Sequence, residues 1–225
     1  MTTSCSCFAK PWALALIAVI IIGSLTAYAY TNTQASLSST ARAGLESTAA
    51  VMATGINASD IEGLRPGDET SLRYQAVVKK LRTLRSMDDT ILNAYILKVH
   101  PDHTVTFLVD DLTFSDPAGS AKIGEVSTDP NKDEIFAALS VPTSSDGPYT
   151  TRYGSFMSAY APIDDSPDGS NGNTAAVLGI DISAKTYTDG VNASGFGIII
   201  TGVVSILIII CLIFRFSPKE QDAGK

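Results

Sequence analysis

The chain has 225 residues, a formal net charge of -7 and 45% hydrophobic residues. This length allows one ordinary domain with a buried core, together with accessory segments. A single soluble domain rarely combines so many apolar residues with so much net charge, and the apolar excess is concentrated near the two ends. The acidic balance of the region between them argues against a surface for nucleic acid or anionic lipid, because either would attract basic residues.

Two apolar stretches are predicted to span a membrane. The first, WALALIAVIIIGSLTAYAY at 12–30, has no charge and is close to the roughly 20 residues that a helix needs to cross the hydrocarbon. A cleaved signal peptide is the alternative, since TAYAY permits cleavage, but the apolar run is long for one and Lys10 is the only early cation. The second, FGIIITGVVSILIIICLIF at 196–214, is followed at once by Arg215. Both stretches carry small residues at every fourth position, which allows the spans to pair or a homodimer to form.

The basic residues that flank the spans predict that both tails, 1–11 and 215–225, are cytoplasmic. Segment 31–195 is then an extracytoplasmic domain of a two-pass protein in the cell membrane. Cys5 and Cys7 lie in the inner tail and Cys211 in the second span, so no disulfide is expected in the outer domain. Acylation or metal binding of the first two is the alternative to unmodified thiols. The last tail is too short to fold, so we expect any output domain to belong to another protein.

Helical periodicity dominates the first part of the outer segment. A long helix is expected to continue from the first span, with one apolar face formed by Leu37, Ala41, Leu45, Ala49, Met52 and Ile56. A second helix is expected in DETSLRYQAVVKKLRTLRSM, where apolar residues at helical spacing are Leu72, Val77, Leu81 and Leu84. Its four cations, Lys79, Lys80, Arg82 and Arg85, are interpreted as a solvated face.

After this helix the apolar period changes to two. NAYILKVHPDHTVTFLVDD predicts a hairpin whose turn is HPDHT. His100, Asp102 and His103 are explained by that turn, with a divalent-metal site as the alternative. A short helix in DPNKDEIFAALS is expected to open at Asp129, with Pro130 in its first turn. The acid pairs at 110–111 and 164–165 are interpreted as solvated loop residues.

The last third predicts three antiparallel strands in GPYTTRYG, SFMSAYAPI and TAAVLGIDISA. The last strand leads into a helix that can continue into the second span. We expect the helices to pack on one side of the antiparallel sheet, which makes an α+β fold. The predicted architecture is therefore an antiparallel sheet with a long N-terminal helix, flanked by two transmembrane helices.

An ordered set of segments carries a family resemblance across the whole outer region: AYILK with TVTFLVDD, then GEVSTDP, GPYTTRYGSFMSAYAPI and AAVLGIDIS. In this order between two spans, the set resembles the single Cache domains. These are the PAS-like extracytoplasmic sensor modules of histidine kinases, chemoreceptors and diguanylate cyclases. The resemblance implies that RYGSFMSAYAPI and VLGIDI supply two sheet strands and part of a ligand cavity.

The resemblance also implies which residues bind a small polar ligand, such as an amino acid, an amine or a carboxylate. Asp181 is expected to receive an ammonium group, and Arg152 offers a planar fork suited to a carboxylate. Tyr95, Tyr153 and Tyr160 are expected to form the wall of the pocket. The alternatives are that Arg152 and Asp181 pair with each other, that Asp181 caps the following helix, and that the tyrosines only pack.

Three functions are consistent with these features. The favoured one is a sensing module that relays its ligand state through the spans to a separate membrane partner. The second is an accessory subunit that uses the fold for contact with another protein. The third, an extracytoplasmic hydrolase, would depend on His100 or His103, and no phosphate loop, nucleophile elbow or zinc helix is present in the sequence. We therefore expect no catalysis, no cofactor and no resident metal.

Overall fold

A computed structural model describes residues 11–163 and 175–216. Residues 1–10 and 217–225 of the two predicted tails lie outside the described residues, and so do Cys5, Cys7 and the acid pair at 164–165. The chain divides into two compact units, Ser39–Gly190 and a unit made of Met1–Ser38 with Val191–Lys225. The boundaries predicted for the spans and for the outer domain stay predictions.

The second unit contains the apolar parts of two long helices, α1 (Pro11–Ala53) and α5 (Ala184–Phe216). By length and composition, both helices are long and apolar enough to cross a membrane. They approach closely at Gly202, where an added Cβ would lie 2.4 Å from Thr26 Oγ1. The absence of a side chain at Gly202 therefore lets the two helices pack, as small residues do between membrane helices.

The unit Ser39–Gly190 is built on one six-stranded antiparallel sheet. Its strands are β1 (Ile91–Val99), β2 (Val105–Asp110), β3 (Thr143–Ser144), β4 (Tyr149–Thr151), β5 (Gly154–Pro162) and β6 (Ala176–Ser183). The order is β2-β1-β6-β5-β3, and β4 also pairs with β5. The predicted α+β class, the β1–β2 hairpin and the antiparallel trio β4, β5 and β6 are confirmed. The adjacent placement of β1, β6 and β5 brings alternate side chains of these strands onto a common face.

Hydrophobic residues cover both faces of this sheet. On one face, Ile96, Leu178 and Ile180 pack against the end of α1, α2 (Ala58–Ile61) and α3 (Leu72–Arg85). On the other face, Leu97 and Val177 pack against α4 (Lys132–Ala137). Farther along the strands, this second face carries polar side chains instead of apolar ones.

Helix α3 forms as predicted, but its orientation differs from the expectation in two respects. Leu72 is 85% exposed, and the buried position in the first turn belongs to Tyr74. The four cations are not all solvated, because Arg82 Nε donates to the Asp111 backbone oxygen at 2.7 Å. Arg85 Nε lies 2.6 Å from Asp111 Oδ2, an ion pair without the alignment of a hydrogen bond.

The pair Asp110 and Asp111 is also not a solvated loop pair. Both residues are buried, and Asp111 has no exposed surface. Asp111 Oδ1 accepts the backbone N–H of Ala94 at 3.0 Å, while its other oxygen faces Arg85. The backbone and α3 together provide the partners that make this burial tolerable.

Candidate functional site

A cavity opens on the polar part of the second sheet face. Three carboxyl groups line it, those of Asp110, Asp129 and Asp181, together with a set of aromatic rings: Tyr95, Phe107, Tyr149, Tyr153 and Phe156. Among the described residues that line the cavity, none is Lys, Arg or His. The cavity volume is about 40 Å³, which is room for a few water molecules. The cavity is therefore small, aromatic and acidic.

Asp181 enters this site from the middle of the sheet. It lies on β6 opposite Asn93 of β1 and Ser158 of β5. Its Oδ1 accepts hydrogen bonds from Tyr95 at 2.8 Å and from Ser158 at 2.5 Å, and Asn93 Nδ2 lies 3.4 Å from Oδ2. Asp181 neither pairs with Arg152 nor caps α5 in these contacts. The strand register brings two of these partners, Asn93 and Ser158, directly beside Asp181.

A second buried carboxylate, that of Asp129, reaches the site from the loop before α4. Its Oδ2 accepts hydrogen bonds from Tyr160 at 2.6 Å and from Tyr149 at 2.9 Å. Its Oδ1 accepts the backbone N–H and the side-chain amide of Asn131. Because α4 begins at Lys132, the prediction that Asp129 opens this helix is wrong. The carboxylate instead binds the tyrosines of β4 and β5.

One hydroxyl contact joins the two carboxylate groups. Tyr149 OH lies 2.9 Å from Asp129 Oδ2 and 2.7 Å from Ser158 Oγ, which in turn contacts Asp181. An unbroken chain of hydrogen-bonding groups therefore runs from Asp129 through Tyr149 and Ser158 to Asp181.

Gly179 makes room for this arrangement. It lies opposite both Tyr95 on β1 and Tyr160 on β5. A Cβ added at Gly179 would lie 2.3 Å from the Tyr95 ring, a distance that real contacts do not reach. The missing side chain lets the ring of Tyr95 cross β6, and its hydroxyl thereby reaches Asp181.

Burial governs the protonation of the site. It raises the pKa of Asp181 from 3.8 to about 7, against the opposing effect of hydrogen bonds from Ser158, Tyr95 and Asn93. Burial also raises the pKa of Asp110 to about 6, although its two oxygens accept the backbone N–H groups of Leu112 and Ala121. The hydroxyl pKa values of Tyr95, Tyr149 and Tyr160 are raised for the same reason, so these hydroxyls stay protonated.

The five residues expected to bind ligand fall into three places. Tyr95, Tyr153 and Asp181 line the cavity. Tyr160 is fully buried, and its hydroxyl reaches Asp129. Arg152 lies with Tyr153 in the two-residue turn between β4 and β5, so it is not part of a strand. Its side chain is 60% exposed and pairs with Glu125, and it also contacts the Tyr153 ring. Ligand binding by these five residues stays a prediction.

Sequence reasoning missed Asp129, Tyr149, Ser158 and Asn93 as parts of the site. Ser158 and Asn93 become visible once the register of β5, β6 and β1 is known, because both lie opposite Asp181. Asp129 offered a weaker signal, since it directly precedes a proline in a loop. Tyr149 offered none, because its strand has only three residues.

No protein-family model and no curated protein sequence matches the chain. Among solved structures, the fold is similar to that of the sensory domain of the chemoreceptor Tlp3 (CcmL) from Campylobacter jejuni, which was crystallised with isoleucine bound. The TM-score is 0.43 and the sequence identity is 14%; the match covers 78% of this chain and 66% of the other.

Proposed function

We propose that the chain is a membrane-anchored sensing module whose central domain binds a small ligand through an ammonium group. One observation carries this proposal: two buried carboxylates, linked by hydroxyls, line a cavity whose described lining contains no cation. A buried carboxylate is costly unless a cation or hydrogen bonds compensate it. An ammonium group donates up to three hydrogen bonds and would compensate the carboxylates directly. The aromatic walls suit the same ligand, because cations are attracted to ring faces.

The sensing part of the proposal rests on how the site joins the helices. Asp181 is three residues before Ala184, where α5 begins, and β6 runs into α5 without an intervening loop. We propose that α1 and α5 cross the cell membrane with both termini cytoplasmic and the central domain outside. A ligand that favours one arrangement of β6 would then bias α5, and a separate membrane partner or a second copy would receive the signal. Such a ligand can shift the equilibrium only by its differential affinity for the two states.

The test is thermal unfolding of the full chain in detergent against primary amines, zwitterionic amino acids and carboxylates. Saturation at about 100 times Kd adds about 2.7 kcal/mol, which corresponds to a rise in Tm of roughly 5–10 °C for a chain of this size. We expect amines or amino acids to give this rise and simple carboxylates to give none.

Two variants sharpen the test. Asp181→Asn should abolish the shift, because it removes the charge that the ammonium group requires. Asp89→Asn makes the same change in charge at an exposed position before β1 and should keep the shift. A shift caused by carboxylates, or one that survives Asp181→Asn, would contradict the proposal.

A further inference from the structure

Five short oxygen–oxygen contacts connect Asp129 and Asp181 with four hydroxyl groups. Tyr95 and Ser158 contact Asp181 at 2.8 and 2.5 Å, Tyr149 and Tyr160 contact Asp129 at 2.9 and 2.6 Å, and Tyr149 contacts Ser158 at 2.7 Å. All five distances lie in the range of O–H···O hydrogen bonds. The Tyr149 and Tyr160 hydroxyls are 3.3 Å apart, which is outside that range.

Each hydrogen bond requires one hydrogen, and a hydroxyl group supplies one. The four hydroxyls therefore supply four hydrogens for five contacts. If Tyr149 donates to Asp129 and Ser158 donates to Asp181, no hydrogen is left between Tyr149 and Ser158. Two oxygens at 2.7 Å with no hydrogen between them would repel each other, so the contact requires a further proton on one of the carboxyl groups.

We propose that the empty site holds one additional proton, shared between Asp129 and Asp181 along the chain through Tyr149 and Ser158, and that a cation entering the cavity displaces it into solvent. The second half of this proposal rests on the proposed function. The exchange balances in charge, because one ammonium group enters the cavity as one proton leaves.

The surroundings of the pair favour a held proton. The titratable groups around the pair are Tyr95 of β1, Asp110 of β2, Tyr149 of β4, Tyr160 of β5 and Tyr153 of the β4–β5 turn. In the described lining none of these groups is cationic, so no positive charge there offsets two ionised carboxylates at once. The raised pKa of Asp181, about 7, agrees with this geometry.

The hydrogen count distinguishes two otherwise similar substitutions. Tyr149→Phe removes one hydrogen and two contacts, which leaves three contacts and three hydrogens, so no additional proton is required. Tyr160→Phe removes one hydrogen and one contact, which leaves four contacts and three hydrogens, so the additional proton is still required. Both changes keep the aromatic ring, and both remove one hydroxyl from Asp129.

The measurement is infrared spectroscopy of the full chain in detergent without any ligand. The carbonyl stretch of a protonated carboxyl group is recorded at pH 7 and identified by its shift in deuterated water. We expect this band in the wild type and in Tyr160→Phe, and its loss in Tyr149→Phe and in Asp181→Asn. Circular dichroism confirms that each variant is folded.

An absent band in the wild type, or a band of equal size in Tyr149→Phe, would overturn the shared proton. Because no ligand is added, this result is independent of the proposed function. Ethylamine then serves as the probe for displacement, and the band should disappear when it saturates the site. A band that persists in the presence of bound ethylamine overturns the exchange, whereas failure of every amine to bind contradicts the proposed function.

Discussion

Ionisation of Asp181 lowers the stability of the folded chain, although binding of an ammonium group requires the ionised form. Its pKa is raised from 3.8 to about 7 in the folded chain, so the folded state holds this proton more tightly than the unfolded state does. Between about pH 4 and pH 7 the unfolded state loses the proton first, and stability falls as the pH rises. The difference in pKa corresponds to a loss of up to about 4 kcal/mol, which is complete above pH 7.

Replacing the carboxyl group by an amide removes this cost. We expect Asp181→Asn to unfold at a higher temperature than the wild type at pH 8 and at a similar temperature at pH 4. The measurement is thermal unfolding of the full chain across this range, followed by circular dichroism. Since other buried acids also titrate, Asp89→Asn is the control, and it should follow the wild type at every pH. Equal losses of stability in wild type and Asp181→Asn would show that Asp181 is not the titrating group.

Gly179 provides a second test at the scale of one residue. A Cβ at this position would push the Tyr95 ring away from Asp181. Gly179→Ala should therefore lower stability by about 1–3 kcal/mol, the usual cost of overpacking a core, and should weaken amine binding. Gly147→Ala is the matched control, since an added Cβ there meets nothing within 4 Å. Denaturant unfolding of both variants checks the first effect and amine titration checks the second. Wild-type binding by Gly179→Ala would contradict the role given to the Tyr95 ring.

These residues also show how far the sequence predicts the site. Asp181 stands out in the sequence because a charge interrupts an apolar strand, and the structure places it at the cavity. Asp129 and Tyr149 are 20 positions apart and meet only through the tertiary fold. No period along the chain encodes that meeting. The proton count depends on distances between oxygen atoms, which a sequence pattern does not contain.

At the scale of elements, two arginines of α3 bind a buried aspartate at the end of β2 and stabilise the packing of this helix on the sheet. The Asp111 carboxylate has no exposed surface and faces Arg85, while Arg82 binds its backbone oxygen. Removing one partner of a buried ion pair leaves an uncompensated charge, which usually costs about 3–5 kcal/mol. We expect Arg85→Ala to lower the free energy of unfolding by about 3 kcal/mol. This is the low end of the range, because Arg82 remains close to Asp111.

Lys79→Ala is the control on the same helix, since Lys79 is exposed. Its free energy of unfolding should lie within about 0.5 kcal/mol of the wild-type value. Denaturant unfolding of the full chain gives both values. Equal stability of Arg85→Ala and Lys79→Ala would show that the solvated-face interpretation holds for Arg85 as well.

The sequence predicts the helices and strands better than it predicts these buried contacts. The period of two between Asn93 and Asp111 predicts the β1–β2 hairpin, because alternation along a strand is local. Strand β3, Thr143–Ser144, is too short to show a period. The burial of both sheet faces was also missed, since it depends on where α4 packs. Local pattern therefore predicts elements, and long-range packing decides which of their charges are buried.

For the molecule as a whole, the proposed relay requires that a ligand beside β6 alters the pairing of α1 with α5. A Cβ built at Gly202 lies 3.0 Å from the Cβ of Thr26. This is close to the separation of about 3.5–4.5 Å that a disulfide needs. The double variant Thr26→Cys, Gly202→Cys, in a chain whose native cysteines are replaced by serine, should therefore form an intrachain disulfide in lipid vesicles.

If the relay operates, saturating ethylamine will change the rate of this oxidation, because it favours one of two arrangements of the helices. The rate is measured by quenching the reaction at intervals and separating the two forms by electrophoresis. The same variant carrying Asp181→Asn is the control, and its rate should not respond to the amine. An unchanged rate in the presence of an amine that demonstrably binds would rule out relay through this helix pair. In that event the site binds its ligand without signalling along α5, and the domain serves as a receptor whose output is read from its own surface.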